Sequence, residues 1–490
     1  MFKESSYLRS IKNLLYKIHD VSPVQDSLYE QASDYFEQAK EIQQKKREMQ
    51  LELKAIDKKA EEITDNKKQK NLQQTKGIVS SQLKVFNKKV DEKRIERHRE
   101  VKQICNNLLE LAEGQSFQEN NSRSARLLGT LFMLTPEIGR KVRLQNMFSK
   151  HIYKATLALR LLDQLVMTND IIDPYVTAQI DEIKALGDIE DDQITSHPLF
   201  RERVKIPVIF AALVQDIGRM HPDAQLILKG EDGKQDEFRV LEKDERQTLL
   251  KTTFQQALLY MQNALGADRY TGNSQDERAI FNQIEKDKLA FAIKILKSSL
   301  KPQNGIGNIL KLPQVYASIA LTTKQNQPLA VMPKMGQMLT KGAEQGMFSA
   351  KATDALLRIT GNFPQGFGVA FIPKEMDKRD IDKYEYAVVN RLYPDNPDEP
   401  IARCVTRNLE YNSNCPDFVI SKSHNLYFEP ARKAFEVVSP ERLLEILSKL
   451  VSNFEERKNQ DLVPRCWHTY DYFSDARHQN LWNNMPQYRN

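Results

Sequence analysis

A run of apolar residues spaced alternately four and three positions apart is the feature that most constrains how this chain folds. It begins at Leu28 and ends at Ile63, with Lys46 as its only polar member, and the residues between are mostly Glu, Gln, Lys or Asp. An average period of 3.5 residues is the heptad seam of a coiled coil. One helix cannot bury so narrow an apolar stripe by itself, so the pattern requires a partner helix.

The seam stops after Ile63 and resumes at Val79, which leaves two sources for the partner helix. If residues 64–77 form a loop, the two stretches fold back on each other as an antiparallel hairpin. Asp65, Asn66 and Gly77 favour this arrangement because they are typical helix-capping residues. If the helix instead runs on with a stutter, it pairs with a second copy of the protein. We expect the hairpin.

The net charge of +6 is concentrated in the same region. Residues 40–102 contain 19 Lys and Arg against 11 Asp and Glu, a surplus of 8, so the rest of the chain sums to about −2 (6 − 8). Because acidic residues are interleaved with the basic ones, a stripe that follows nucleic-acid phosphates is not expected. A protein partner or self-association through the coiled coil is expected instead.

The remainder of the 490 residues predicts a mostly α fold, because Gly (18) and Pro (20) are sparse and amphipathic segments predominate. No run approaches the roughly 20 apolar residues that span a bilayer. The segment Met1 to Ser6 has no apolar core of a secretory signal, so we expect a cytoplasmic protein. The four cysteines have no spacing typical of a zinc site.

The predicted fold is an N-terminal coiled-coil helical hairpin followed by an all-α bundle and a small C-terminal β-containing appendage. Residues 368–372 and 401–406 look extended, and residues 440–458 look like a last helix. The predicted organisation is a basic coiled-coil region (1–113), a linker (114–124), a helical connector (125–196), a helical domain (197–372) and a mixed appendage with an aromatic tail (373–490).

Two segments in the helical domain carry a resemblance to a known family. The stretch Gln215 to Arg219, at the end of the apolar run 206–214, resembles the His-Asp-Ile-Gly-Lys signature of HD-superfamily metal phosphohydrolases. Residues 312–323, followed by Gln327, Pro328 and Pro333, resemble the D-x-x-D-A-L-T-S and Arg-Pro-Tyr segment of HD-GYP cyclic-di-GMP phosphodiesterases. Residues 346–349 and 361–366 continue the match. The resemblance covers residues 197–372 and implies an HD-like helical bundle.

The sequence departs from this family at the positions of the metal ligands. HD enzymes hold metal ions with His and Asp side chains, and these ions activate the attacking water. Here Gln215 stands at the signature histidine, and Tyr316 and Ile319 stand at the downstream aspartates. Asp216, even with His197 or His221, provides too few ligands for a binuclear site. The resemblance therefore implies a remnant site without catalytic residues, metal or cofactor.

The C-terminal region contains further candidates for binding. Arg391, Arg403 and Arg407 are possible phosphate contacts, because guanidinium groups form forked hydrogen bonds to phosphate, although surface or ion-paired roles are the more common outcome. The tail aromatics either stack on bases or hold the C-terminus on the body. They are Trp467, Tyr470, Tyr472, Phe473 and Trp482.

Three functions remain open from the sequence. The first is a non-catalytic HD-GYP-derived signalling or regulatory protein that binds a protein or a nucleotide, with a cyclic dinucleotide as one candidate. The second is an active cyclic-di-GMP phosphodiesterase with an atypical metal site. The third is a coiled-coil adaptor whose basic segment contacts nucleic acid or an acidic membrane surface. We expect the first.

Overall fold

The structure, a computed structural model, describes residues 4–20, 24, 26–62, 65–136, 140–171, 173–187, 189–324, 327–374, 383–435 and 463–489. The fold is mostly α, as predicted, with a small β element near the C-terminus. The helix predicted for residues 440–458 lies outside the described residues. No described helix is long and apolar enough to cross a membrane.

The regular elements described in the first half of the chain are all helices. Its α-helices are α1 (Ser6–Ile18), α2 (Leu28–Glu62), α3 (Asn66–Ala112), α4 (Phe117–Met133), α5 (Arg140–Met167), α6 (Pro174–Lys184), α7 (Asp191–Ile194), α8 (Pro198–Phe200), α9 (Ile206–Val214) and α10 (Pro222–Lys229). A π-helical turn, Arg201–Lys205, joins α8 to α9, and a 3-10 turn, Ile217–Met220, follows α9.

The second half adds the β element. Its α-helices are α11 (Lys243–Leu259), α12 (Gln275–Ser298), α13 (Asn308–Ala320), α14 (Met335–Glu344), α15 (Ala350–Thr360), α16 (Glu429–Phe435) and α17 (Tyr470–Phe473). A π-helical turn (Tyr260–Leu265) and two 3-10 turns (Leu329–Lys334 and Ala476–His478) accompany them. The strands are β1 (Gly368–Phe371), β2 (Glu385–Val389), β3 (Ile401–Cys404), β4 (Thr406–Arg407), β5 (Glu410–Tyr411), β6 (Asp417–Val419) and β7 (Gln487–Arg489).

Helices α2 and α3 form the predicted hairpin. Three side-chain contacts join them: Gln31 to Glu100 at 2.7 Å, Lys45 over the ring of Phe86 at 5.7 Å, and Asp57 to Lys76 at 2.5 Å. Residue numbers rise along one helix as they fall along the other, so the pairing is antiparallel. The apolar seam lies inside, with Leu28, Ala32, Ile56 and Val79 buried.

The predicted loop at residues 64–77 is wrong, because α3 begins at Asn66 and runs through Gly77. Asp65 does cap the helix, since its carboxylate accepts the backbone N–H of Lys67 at 2.9 Å. Gly77 is an interior helix residue and not a cap. Lysine and glutamine are good helix formers, so residues 66–77 are helical although they lack the apolar pattern.

The predicted linker 114–124 is likewise shorter than expected, since α4 begins at Phe117. The polar residues that suggested a linker are capping and anchoring groups. Ser116 accepts the N–H of Glu119 at 3.2 Å, and Asn120 accepts the N–H of Gly114 at 2.7 Å. The buried Ser124 hydroxyl donates to the carbonyl of Ala112 at 2.9 Å. A run of Asn and Ser therefore marks a helix start here.

The strands form one five-stranded sheet of order β1-β2-β3-β6-β7 and a separate β4-β5 hairpin. Pairing is antiparallel except between β6 and β7. The register places Val388 opposite Arg403, and Arg403 opposite Asp417. The two segments predicted to be extended are confirmed as β1 and as β3 with β4.

The chain divides into two compact units that do not follow the predicted domain boundaries. The first unit contains Met1–Leu15, Cys105–Leu213 and Lys294–Asn490, and the second contains Tyr16–Ile104 and Val214–Ile293. The predicted helical domain 197–372 is thus shared between them. Boundaries drawn in chain order cannot anticipate units that are assembled from separated segments.

Candidate functional site

Residues 215–219 of the second unit, which resemble the HD signature, pack closely against α11. Gln215 is buried and its side-chain oxygen has no hydrogen-bond partner among the described residues. Asp216 is half-buried and precedes the 3-10 turn Ile217–Met220. A Cβ atom on Gly218 would lie 2.0 Å from the carbonyl oxygen of Thr253 in α11. The glycine is therefore required by close contact with α11.

His197 and His221 have the same local role in different units. Each precedes a proline at the first position of a helix, and each Nδ1 accepts a backbone N–H: from Leu199 at 3.3 Å and from Asp223 at 3.2 Å. In the second unit, His221 also packs its ring edge-on against Phe36, with centroids 5.3 Å apart. Both histidines therefore cap helices, and their Nδ1 atoms are used in doing so.

Within the described residues, no group of three or more His, Cys, Asp and Glu side chains is placed to hold a metal ion. His197 belongs to the first unit, whereas Asp216 and His221 belong to the second. The position of the family's downstream aspartate is a core position: Tyr316 of α13 is fully buried and stacks on Tyr153 of α5, with ring centroids 6.3 Å apart.

Two of the three candidate phosphate-binding arginines already have a carboxylate partner. Arg403, on β3, is buried and bonds Asp417 at 2.5 Å, and Arg391 bonds the other oxygen of Asp417 at 3.1 Å. Arg403 also donates to the side chain and the carbonyl of Asn483 at 2.6 and 2.9 Å. Arg407 is exposed on β4. The buried Arg403 and the half-buried Arg391 thus anchor the C-terminal tail to the sheet.

The aromatic tail packs inward. Trp467, Tyr472, Phe473 and Trp482 are buried, and the indole N–H of Trp467 donates to the carbonyl of Ala387 in β2 at 3.1 Å. Tyr470 is half-buried. Of the two predicted roles for these rings, holding the C-terminus on the body is therefore confirmed.

Sequence reasoning missed a buried charge cluster in the first unit. Lys205 lies 2.5 Å from Glu113 and 3.0 Å from Asp163, and Arg160 lies 3.1 Å from Asp163. Burial would raise the pKa of Glu113, but the Lys205 and Arg160 cations hold it below its ordinary value. Burial raises the pKa of Asp163. The opposite charges compensate one another and join α5, the end of α3 and the π-helical turn.

A pocket of about 320 Å³ in the first unit was also missed, and we call it the Asn146 pocket. Asn146 accepts the Thr135 hydroxyl at 2.6 Å and donates to the carbonyl of Thr322 at 2.7 Å, while the Thr322 hydroxyl donates to Gln327 at 2.9 Å. The described lining has amide, hydroxyl, imidazole and apolar groups but no Asp, Glu, Lys or Arg: Phe132, Thr135, Pro136, Val142, Asn146, Ala320, Leu321, Thr322, Gln327, Pro328, Leu329, Met332 and His468.

The Asn146 pocket coincides with part of the sequence resemblance. Residues 320–322 close α13, and residues 327–332 follow it, so this wall comes from the segment that resembles the HD-GYP downstream motif. No family model, curated protein or solved structure matches the chain. The relationship therefore remains a prediction from these motifs.

Proposed function

We propose that this chain is a non-catalytic, HD-GYP-derived regulatory protein that binds a nucleotide in the Asn146 pocket. The observation that carries the proposal is the position of the pocket on residues 320–322 and 327–332, within the part of the chain that resembles the family's downstream motif. A volume of about 320 Å³ lies within the range of small-molecule sites.

The chemistry of the lining favours recognition of a nucleobase. Gln327 and Thr322 offer amide and hydroxyl groups that match the donors and acceptors on a base edge, and Phe132 and Met332 offer apolar walls for a flat ring. No lysine or arginine belongs to the described lining, so the phosphates of the ligand remain outside it. One nucleoside half of a cyclic dinucleotide meets these requirements.

The replacements in the family motifs support binding without turnover. A carboxamide such as Gln215 is a poor substitute for the imidazole ligand of a transition metal. Tyr316 fills its position with a buried ring stacked on Tyr153, which leaves a core contact where the family has a metal-binding carboxylate.

Calorimetric titration of the full chain with cyclic-di-GMP, GMP and guanosine tests the proposal. Gln327→Leu removes the amide at nearly constant volume, and we expect binding at least tenfold weaker because the base loses a hydrogen-bond partner. Gln337→Leu, on an exposed position of α14, is the matched control and should leave binding unchanged. Equal affinity in both variants, or no binding to the wild-type chain, would overturn the assignment.

A further inference from the structure

The two helices of the hairpin differ in their charge composition. Residues 41–62 of α2 contain six basic and six acidic residues, whereas residues 66–90 of α3 contain seven lysines and no Asp or Glu. All seven lysines are exposed. Of these, Lys76 pairs with Asp57 across the hairpin, and Lys88 lies 3.8 Å from Glu92 with both side chains more than half exposed. The interleaving of acids expected from the sequence does not extend along this part of α3.

Four of these lysines lie on one line along the outer face of α3. Positions that alternate three and four apart share one face of a helix, and the apolar seam Val79, Leu83 and Phe86 occupies the opposite face. We call the outer line the lysine stripe, and each of its members is exposed: Lys67, Lys70, Gln74, Gly77, Ser81, Lys84 and Lys88. At 1.5 Å per residue the stripe is about 32 Å long.

The middle of the lysine stripe carries only small side chains, at Gly77 and Ser81. Gly77 is a helix-interior glycine with negative φ, and a Cβ atom there would meet nothing within 4 Å. Nothing in the described chain therefore requires glycine at this position, although it weakens a helix relative to alanine. Gly77 and Ser81 leave a shallow saddle between the lysine pairs at the two ends, which allows a ligand backbone to approach the helix closely.

We propose that the lysine stripe binds the sugar-phosphate backbone of double-stranded nucleic acid without reading its sequence. A duplex presents about one negative charge per 1.7 Å of axis, so an exposed line of four lysines with no acid among its members lies against phosphates of opposite charge along its whole length. The stripe has no arginine for bidentate base recognition and no aromatic ring for stacking, so it contacts phosphates only.

A lipid surface fits this face less well. Helices that lie in a membrane interface bury Trp, Phe or Leu beside their basic residues, and the apolar face of α3 is instead turned toward α2. Outside that seam, the only exposed aliphatic residues on the described part of α3 up to Val90 are Ile78 and Val85. Charge complementarity with a closely spaced polyanion is therefore the stronger match.

Fluorescence anisotropy of the full chain with two unrelated 30-base-pair DNA duplexes, between 50 and 200 mM NaCl, tests this proposal. We expect equal affinity for both duplexes and a slope of log K against log salt of about −3.6, if each of four lysines neutralises one phosphate. The variant K67Q/K70Q/K84Q/K88Q should bind at least tenfold more weakly with a flatter slope. Gly77→Leu should weaken binding by filling the saddle.

The control replaces four exposed basic residues of α2, R47Q/K54Q/K58Q/K59Q, and removes the same charge from the same hairpin. It should retain most of the binding, and circular dichroism should show that both quadruple variants are folded. Equal loss in the two variants, or no binding of the wild-type chain at 50 mM NaCl, overturns the proposal. Salt-sensitive binding to phosphatidylglycerol vesicles but not to duplexes overturns it as well. The outcome is independent of nucleotide binding in the Asn146 pocket.

Discussion

At the scale of single residues, Asp417 is the carboxylate on which the C-terminal tail depends. It is buried on β6 and shared by two guanidinium groups, those of Arg403 and Arg391. Buried ion pairs are costly to break from one side, because the remaining charge stays desolvated and unpaired. The site therefore holds sheet and tail together only while all three groups are present.

We expect Asp417→Ala to lower the free energy of unfolding by about 3–5 kcal/mol. Glu429→Ala is the matched control, because Glu429 pairs with Arg465, both side chains are about half exposed, and such pairs contribute about 0–1 kcal/mol. Urea titration followed by tryptophan fluorescence measures both. Comparable small losses in the two variants would show that the Asp417 network is not a buried anchor.

His19, in the second unit, makes a pH-dependent contribution to the free energy of unfolding. Burial, assisted by the Arg219 cation, lowers the pKa of His19 to about 4, and the ring stacks on Tyr29 at 5.1 Å. The unfolded chain has a histidine pKa of about 6.5 and binds the proton more readily, so stability falls as pH drops from 6.5 toward 4. At pH 5 the expected loss from this group is up to about 2 kcal/mol.

His19→Phe keeps the stacked ring and removes the titration. Its free energy of unfolding should change less than that of the wild type between pH 7.5 and pH 5. Thermal unfolding at both pH values measures the difference. An identical pH dependence in the two proteins would contradict the buried, neutral state of His19.

At the scale of elements, two glycines have opposite roles. Gly77 lies in an open position of a long helix, whereas Gly218 lies where the 3-10 turn touches the backbone of α11. The sequence predicted a cap at Gly77 and a family motif at Gly218, and neither pattern shows whether a neighbouring backbone excludes a side chain. Only the tertiary packing of α11 tells which glycine is required.

We expect Gly77→Ala to stabilise the chain by about 0.5–1 kcal/mol, because alanine loses less backbone entropy in a helix. Gly218→Ala should destabilise it by about 1–3 kcal/mol, because the added methyl overlaps the Thr253 carbonyl. Differential scanning calorimetry of the two variants should give melting temperatures on opposite sides of the wild-type value. A shift in the same direction for both would contradict the packing described.

At the scale of the whole molecule, local periodicity predicted the hairpin correctly, and the sparse Gly and Pro predicted the mostly α fold. Patterns that depend on distant partners were missed. Asn146 meets Thr322 across 176 positions, and Lys205 meets Glu113 across 92. A lysine in an apolar run gives no sign of its buried partner, and an asparagine gives no sign of a pocket. The loop predictions failed for two reasons. At 116–124 the capping groups resemble loop residues, and at 66–77 lysine and glutamine form a helix without an apolar pattern.

Retention of an intact nucleotide is the property that distinguishes the proposed regulatory protein from an active phosphodiesterase. The direct measurement is incubation of excess protein with cyclic-di-GMP and Mn²⁺ or Fe²⁺, followed by ultrafiltration and mass spectrometry of the retained ligand. We expect the nucleotide to be retained and recovered intact, and retention to fall in Gln327→Leu. Recovery of the linear dinucleotide, with turnover abolished by Asp216→Ala, or the absence of any retained ligand, would contradict the proposed function.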